Sequence, residues 1–547
     1  MKSKILAADY VIVGAGSAGC VLASRLSEDA NCSVILVEAG GTDQRLIVKM
    51  PSAFYLPMQS KTLNWGYRSE PEPHMHNRRL DCPRGRGMGG SSSINGMVYA
   101  RGHAQDFARW EALGAQGWGY DAVLPYFKKA QGSRSGSRAE LARGFEGPLT
   151  TTDGVMTNPL YGHFIEAAQQ AGYPYRADLN DGEQEGFGPL PMTVADGIRQ
   201  SSARAYLPKS RPNLRILKNS LVTKIDIQGG AACAIELKNR RQRLRVEASQ
   251  EVILSAGAIN SPQLLMLSGI GAADQLRQLG ITAIVDAPNV GKNLMDHLEV
   301  YVQQACTQPL SLYKDLGLMG RAKIGLRWLY DQRGLGATNH FEAGGFIRSS
   351  DSQPYPDIQF HFLPAAMSYD GSSKAQQHGF QAHVGPMLPR SRGAVTLRSS
   401  DPLQAPRIAF NYLSEAEDWQ VFREAIRATR RIFSQPALAT VAGIELSPGA
   451  EAQSDAQLDE FIRNHAESAY HPCGTCRMGN DSDAVVDPLG RVMGVERLRV
   501  VDSSIFPHIT NGNLNAPTIM LAEKLADAIK VGAGKEQIGS SSDGIER

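Results

Sequence analysis

The sequence predicts an α/β protein: a Rossmann-type dinucleotide-binding domain joined to a second domain built on an antiparallel sheet with covering helices. Three observations carry this. The stretch from Tyr10 to Glu38 reads as strand, glycine turn, helix, strand and acidic residue. Short strand-like runs return between Leu214 and Gly257. From about Val300 to Ala442 the composition shifts to mixed strands and helices. At 547 residues the chain is too long for one ordinary core, which favours two closely associated domains. The expected division is 1–155 with 200–300 and 465–535 for the nucleotide domain, and 156–199 with 301–464 for the second. A polar tail, 536–547, is expected to be disordered.

The Tyr10–Glu38 stretch organises the rest. Tyr10-Val11-Ile12-Val13 is an apolar run suited to a buried strand. Gly14, Gly16 and Gly19 follow at G-x-G-x-x-G spacing, then a helical pattern over Ala18–Ser27, then a second apolar run, Ser33–Val37, that ends on Glu38. Gly14 makes the tight turn, Gly16 lets a pyrophosphate approach the backbone, and Gly19 lets the helix pack on the strand. The helix N-terminus faces the phosphates, and the acidic residue accepts hydrogen bonds from a ribose. The glycines alone would be weak; the strand, helix and acid in the required order make the motif specific. It implies a dinucleotide without choosing between flavin and nicotinamide.

Composition excludes several classes. The net charge of +2 and the lack of a dense Lys/Arg block leave no electrostatic footprint for nucleic acid. No run of eighteen apolar residues is present, so no transmembrane helix is expected. The N-terminal MKSKILAADYVIV leads directly into the first strand and does not read as a signal peptide. Seven cysteines, an odd number in a long chain, suit a reducing compartment. The cytoplasm is the expected location.

Taken in order, Met50–Arg79 is rich in proline and aromatic residues and reads as irregular cover. Pro83–His103 is a run of small residues entering Ile94-Asn95-Gly96-Met97-Val98-Tyr99, whose backbone N–H groups can form a nest around an anion or a flavin. Helices are expected at Asp106–Glu111, Ala122–Lys129 and His163–Ala171. Leu214–Lys218, Leu221–Ile227, Cys233–Leu237 and Arg243–Val246 read as an antiparallel meander. Val252–Leu254 is a buried strand running into Gly257, followed by a helix at Gln263–Leu267 with Pro262 in its first turn. In the second domain, strands are expected at Glu299–Ala305, Ile358–Leu363 and Ala394–Leu397, and helices at Arg321–Asp331 and Glu415–Phe433. The chain closes with a helix near Leu458–Glu467, a loop at His471, a strand at Leu498–Val501 and a long helix, Ala516–Lys530.

Among twelve histidines, His471 stands out by its surroundings, AESAYHPCGTCRMG. Pro472 pushes it into extended geometry, and a neutral imidazole can accept an alcohol proton near neutral pH. Cys473-x-x-Cys476 lacks the second pair that a structural zinc site needs, so these cysteines read as packing residues and no metal is expected. Asn511-Gly512-Asn513-Leu514-Asn515 precedes the last helix, either as an N-cap or as an amide aimed at a ligand.

Together these stretches resemble the glucose–methanol–choline oxidoreductases, a family of FAD-dependent alcohol oxidases and dehydrogenases. Gly85–Gly102 is similar to the family's first signature and Gly257–Gly271 to its second, and the closing block from His471 to Met520 is similar to its active-site segment. The resemblance runs from about Ala8 to Val531 and selects FAD over NAD. It implies contacts to FAD from Gly14, Gly16, Ser17, Ala18, Gly19, Glu38 and Ala39, from Trp65, and from Gly89, Gly90, Asn95, Gly96, Met97 and Val98. Further contacts are implied at Val222, Ala256, Asp502, Asn515, Pro517 and Thr518. His471 is implied as the catalytic histidine, with Asn515 as its partner.

Within the family, NRRLDCPRGRGMGGSSSINGM, ATNHFEAGGFIRS, FHFLPAAMSYDG and FIRNHAESAYHPCGTCRMG most resemble bacterial choline-oxidising members. That implies oxidation of choline to betaine aldehyde, towards glycine betaine, by hydride transfer to flavin N5. Glu299 is implied as the substrate-facing carboxylate. Trp65, Phe341 and Phe362 are cage candidates for a trimethylammonium head, and His297 and His361 are auxiliary active-site histidines. Uncharged primary alcohols of the alkanol or polyethylene-glycol type are an alternative substrate class, and a lyase-like or non-redox flavin protein is a further one. Ile94 stands where some relatives attach FAD covalently through histidine, so non-covalent FAD is expected. The implied acceptor is a quinone or another respiratory-chain component, with any membrane attachment peripheral and on the inner face.

Overall fold

The computed structural model describes residues 5–136, 142–239, 242–368 and 377–542, and of the last helix beyond residue 532 the backbone alone. Two seven-stranded sheets dominate the described residues. In the first, Leu214–Leu217, Val34–Val37, Ile5–Val13 and Gln242–Leu254 run parallel, and Leu498–Val500 joins Gln242–Leu254 from the side. Ala231–Asn239 and Ser220–Gln228 extend it as an antiparallel flank. Where helices cover them, the parallel strands present apolar runs: Tyr10–Val13, Val34–Val37 and Val252–Leu254, with Val11, Ile12, Leu36, Ile253 and Leu254 all buried. The Ser17–Leu26 helix packs between this sheet and the final helix, Asn515–Ser542. Buried Glu523 ties the two helices by pairing with Arg25 at 2.8 Å.

The second sheet is antiparallel throughout, in the order Ala442–Ser447, Leu298–Cys306, Gly379–Pro386, Ile358–Leu363, Ala343–Ile347 and Gly186–Pro189, with Glu467–Ser468 beside Leu298–Cys306. Alternation sets its two faces. Phe360 and Phe362 join the hydrophobic cluster formed with the Pro159–Gln170 and Ala416–Phe433 helices. Gln359 and His361, equally buried, point the other way. The expected domain boundary at residue 300 cuts through the Leu298–Cys306 strand, which belongs to this second sheet.

Several local expectations are corrected. Leu214–Leu217 does not belong to the antiparallel meander; it pairs parallel with Val34–Val37 at the sheet edge, a choice that an alternating pattern cannot encode. The runs at Arg243 and Val252 form one strand, Gln242–Leu254, continuous across polar Ser249–Glu251. Pro262 lies inside a helix that already begins at Gly257. The last helix continues to Ser542 rather than giving way to a disordered tail. Residues 543–547 lie outside the described residues, as does the end of the FHFLPAAMSYDG stretch beyond Ser368.

The strand–turn–helix junction is packed without slack. A Cβ on Gly19 would meet Gly14 O at 1.9 Å, and one on Gly90 would meet Gly16 Cα at 2.6 Å, so the small-residue loop lies directly on the nucleotide turn. Both clashes are with backbone and cannot be relieved by a rotamer change. Gly19→Ala is therefore expected to cost about 1–3 kcal/mol of stability and to lower the dinucleotide content of purified protein, checked by thermal unfolding and by the absorbance of the bound group.

Candidate active site

One cavity of about 540 Å³ runs from the glycine turn to His471. Its nucleotide end is built by the first sheet. Gly14 (φ +100°) turns the chain out of the strand, and Gly16 caps the Ser17–Leu26 helix without any side-chain hydrogen bond, leaving the helix N-terminus open. Space over this floor is kept clear: a Cβ on Gly16 would meet only Ser255 O, at 3.8 Å, and one on Gly257 nothing within 4 Å. Glu38 closes the second strand, accepting from Ala15 N at 3.0 Å and Gly40 N at 2.7 Å. Burial pushes its carboxyl up against those two bonds. A carboxylate has further lone pairs for a ribose. The open helix N-terminus, the cleared glycine floor and the acid at the strand end fit the phosphates and ribose of a dinucleotide.

Of the residues expected at the cofactor, Gly14, Gly16, Ser17, Ala18, Glu38, Ala39, Trp65, Gly90, Asn95, Gly96, Met97, Val98, Val222, Ala256, Asp502, Asn515 and Thr518 line the cavity. Gly19 and Gly89 act behind it: Gly19 packs on Gly14, and Gly89 N–H donates to Ala15 O at 2.7 Å. Pro517 is not part of the wall. Arg84, Arg86 and Ser91 also line the cavity and escaped sequence reasoning, because arginine and serine in a glycine-rich loop carry no periodic signal.

At the other end stands His471, gripped twice by consecutive residues. Asp296 Oδ1 accepts its backbone N–H at 2.6 Å, while Asp296 Oδ2 accepts from Tyr412 and Ser468, each at 2.5 Å. Burial pushes the Asp296 carboxyl up to about 6. His297 Nδ1 lies 3.0 Å from His471 Nδ1, and His297 Nε2 lies 2.9 Å from the Met387 carbonyl.

These contacts determine where the protons sit. A carbonyl only accepts, so His297 carries its proton on Nε2. Burial lowers His297 to about 3, so the ring is neutral and its Nδ1 is an acceptor. His471 must then donate from Nδ1, which leaves Nε2 with a bare lone pair. Burial first, then the neighbouring His297, His361 and Arg84, push His471 well below the ordinary histidine value of 6.5. The bare Nε2 lies 3.1 Å from Asn513 Nδ2, which donates to it. Gln359 Nε2 approaches Asn513 Oδ1 at 3.3 Å and holds the amide that way round.

The structure therefore moves the amide partner. Asn515 does not face His471; it accepts from Ser17 Oγ at 2.7 Å, at the nucleotide end, and Asn513 takes the place beside the imidazole. Two residues of spacing separate these roles at the mouth of a helix, and sequence alone could not choose between them. His297 is corrected as well: it lies behind His471, not in the cavity wall. Phe362 points away from the cavity and stacks on Phe164 at 4.4 Å. Trp65 lines the cavity but already carries Arg86 at 4.9 Å and stacks on Tyr67. Phe341 and His361 remain in the wall. Burial lowers His361 to about 4.

Glu299 also lines the cavity, buried, with His383 Nδ1 at 3.0 Å from Oε1. Gln381 orients that histidine. Its Oε1 accepts from Met367 N and Gln303 Nε2, both at 2.8 Å, so its Nε2 donates to His383 Nε2 at 2.7 Å. His383 is thereby set to donate from Nδ1 to the Glu299 carboxylate. Sequence reasoning missed His383 and Gln381. Their signal was a period of two, Gln359/His361 and Gln381/His383 on adjacent strands, which places a polar face inside the molecule. Cys473 and Cys476 are free, buried thiols packed in the core of the nucleotide domain.

A dinucleotide cradle opening onto a buried, neutral imidazole with a bare Nε2 is the site of a dinucleotide-dependent oxidoreductase; the relatives decide which dinucleotide. Two GMC oxidoreductase family models match the chain, over residues 8–299 and 389–522. It is 53% identical to the oxygen-dependent choline dehydrogenase of Brucella canis over 526 residues, 95% of each chain. To the protein of the same name from Sinorhizobium fredii it is 52% identical over 539 residues, 98% of this chain and 97% of the other. Among solved structures it is similar to pyridoxine 4-oxidase from Mesorbium loti (TM-score 0.86, 34% identity, 95% of this chain and 99% of that one). It is also similar to formate oxidase from Aspergillus oryzae RIB40 (TM-score 0.92, 27% identity, 98% and 100%). The chain belongs to the GMC oxidoreductase family, and its cofactor is FAD.

A base must be unprotonated to act, and the pKa of His471 is pushed below 6.5. Alcohol-driven reduction of bound flavin is therefore expected to stay level as pH falls through 6.5 and to decline only at lower pH. Stopped-flow rates across the acid range check this; a limb centred at or above 6.5 would contradict it.

Proposed function

We propose that the chain oxidises choline to betaine aldehyde, the first step towards glycine betaine. The observation that carries this reading is Glu299: a buried carboxylate in the wall of the cavity that ends at His471, held there by His383. A quaternary ammonium has no proton to donate, so it is recognised by charge and by aromatic faces. Phe341 provides such a face beside His383, with ring centroids 5.3 Å apart. The strong similarity to proteins named choline dehydrogenases supports the same substrate.

Bound FAD supplies a hydride acceptor, and the protein must manage the hydroxyl proton. An alkoxide is inaccessible in neutral water, so a base and a donor must act on the same oxygen. His471 Nε2 takes the proton, and its Nδ1–H remains bonded to His297, which holds the ring as it charges. Asn513 Nδ2 donates to the oxygen as negative charge develops. Glu299 holds the ammonium end, so the alcohol carbon is positioned from both sides. The cofactor would be held at the glycine turn by Gly14, Gly16 and Glu38, and by the Gly90–Val98 loop.

Ile94 lines the cavity and offers no nucleophile, so FAD is bound without a covalent link. Electrons pass on to an acceptor such as a respiratory quinone. No helix among the described residues is long and apolar enough to cross a membrane; the protein works in the cytoplasm, and its contact with the inner membrane face is peripheral.

Four outcomes are expected. Acid or heat denaturation should release all the flavin, and colour retained on the chain would contradict a dissociable cofactor. His471→Ala should slow flavin reduction by roughly 10²- to 10⁴-fold. In anaerobic titrations, choline should reduce the flavin at lower concentration than 3,3-dimethylbutan-1-ol, in which carbon replaces the quaternary nitrogen. Glu299→Gln should weaken choline about tenfold or more, roughly 1.4 kcal/mol, and leave the neutral analogue unchanged. Equal use of both alcohols by the parent protein would point to an uncharged substrate instead.

A further inference from the structure

The Leu318–Asp331 helix, LMGRAKIGLRWLYD, lies on the outside of the molecule, and Trp328 is its one fully buried side chain. Trp328 is 3% exposed and its Nε1 donates to Gly197 O at 2.7 Å, which fixes how the helix is rotated. With that rotation, the large apolar residues face solvent: Leu318 is 89% exposed, Met319 87%, Tyr330 86%, Leu326 70% and Leu329 52%. At 3.6 residues per turn these five, with Ala322, fall within an arc of roughly 120°. An ordinary amphipathic helix turns such a stripe toward the core; this one turns it outward.

The shoulders of the stripe are basic. Arg321 flanks one side and Lys323 and Arg327 the other, and from Lys314 to Arg333 five basic residues face two acidic ones. Lys314, Lys323 and Arg333 are exposed. Scattered single apolar residues on a surface need no explanation, but a contiguous apolar face with a charged rim marks a surface that something covers. Apolar residues that enter an acyl boundary between cationic shoulders that meet headgroups are the pattern of an interfacial helix.

We propose that the Leu318–Asp331 helix seats the protein on an anionic lipid surface. This deepens the peripheral contact proposed above by naming the face that makes it, and it does not depend on the substrate. The helix is connected to the chemistry. Arg321 lies over the ring of Tyr55 at 5.6 Å, neighbouring Phe54 packs against Phe341 at 6.0 Å, and Phe341 and Met58 line the cavity. Docking through this face would set the Pro51–Met58 segment, which reaches the cavity at Met58, near the lipid, on the side from which a lipid-dissolved acceptor would arrive.

The test uses the full-length FAD-loaded protein, sedimented at low salt with vesicles of phosphatidylcholine and phosphatidylglycerol, or of phosphatidylcholine alone. Binding is expected to the anionic vesicles, weakened by salt, and much less to the neutral ones. The double substitution Leu326→Glu with Leu329→Glu replaces two exposed side chains, so thermal unfolding and dye-linked turnover should match the parent. Its partitioning onto anionic vesicles should fall at least tenfold. Vesicle binding retained by that variant would leave peripheral attachment standing and overturn this helix as its site. No binding by the parent would overturn both. If ultracentrifugation shows instead that the substitutions split a dimer, the stripe is covered by a second copy and the lipid assignment fails.

Discussion

The active site depends on a short chain of buried hydrogen bonds with only one consistent arrangement of protons. The Met387 carbonyl can only accept, and burial keeps His297 neutral. Those two facts propagate through the 3.0 Å contact between the imidazoles and leave a bare nitrogen on His471 Nε2. A histidine exposed to water would exchange tautomers freely; here each alternative would place two donors, or two lone pairs, against each other in a dry interior. The bare nitrogen is set by its surroundings before any substrate arrives.

The two sheets divide the work. Parallel strands of the first bring the glycine turn, Glu38 and Asp502 to one end of the cavity. Antiparallel strands of the second present alternate residues to the other. His297, just before the Leu298–Cys306 strand, and Glu299, within it, are two residues apart, and that period lets one hold His471 while the other enters the cavity wall. Gln359/His361 and Gln381/His383 repeat the device on the adjacent strands. The polar face of this sheet is costly to bury unless its members are paired; the Gln359 Oε1 atom has no partner among the described residues, and the bonds that Gln359 Nε2 and His383 do make orient Asn513 and engage Glu299.

Much of this was legible in the residues. The glycine motif could be read because each glycine answers a steric demand at a fixed offset, and the structure shows those demands as backbone clashes at Gly19 and Gly90. His471 could be singled out by Pro472 and the glycines around it. The exchange of Asn515 for Asn513 was not legible, since the two stand two residues apart at the start of the same helix and only the fold shows which amide reaches the imidazole. Phe362 was misplaced for a related reason: one position along a strand is the difference between the cavity and the far hydrophobic cluster. His383 was hidden because its partner Glu299 is far away in sequence, and the two meet only through strand pairing.

The proposed chemistry depends on the protonation state of one ring. The most direct measurement is nitrogen-15 NMR of FAD-loaded protein with labelled histidine imidazoles, assigned by loss of a signal in His471→Gln. At neutral pH His471 is expected to show one protonated nitrogen, Nδ1, and one bare nitrogen, Nε2, unchanged on mild acidification. A His471 carrying its proton on Nε2, or protonated on both nitrogens at neutral pH, would contradict it.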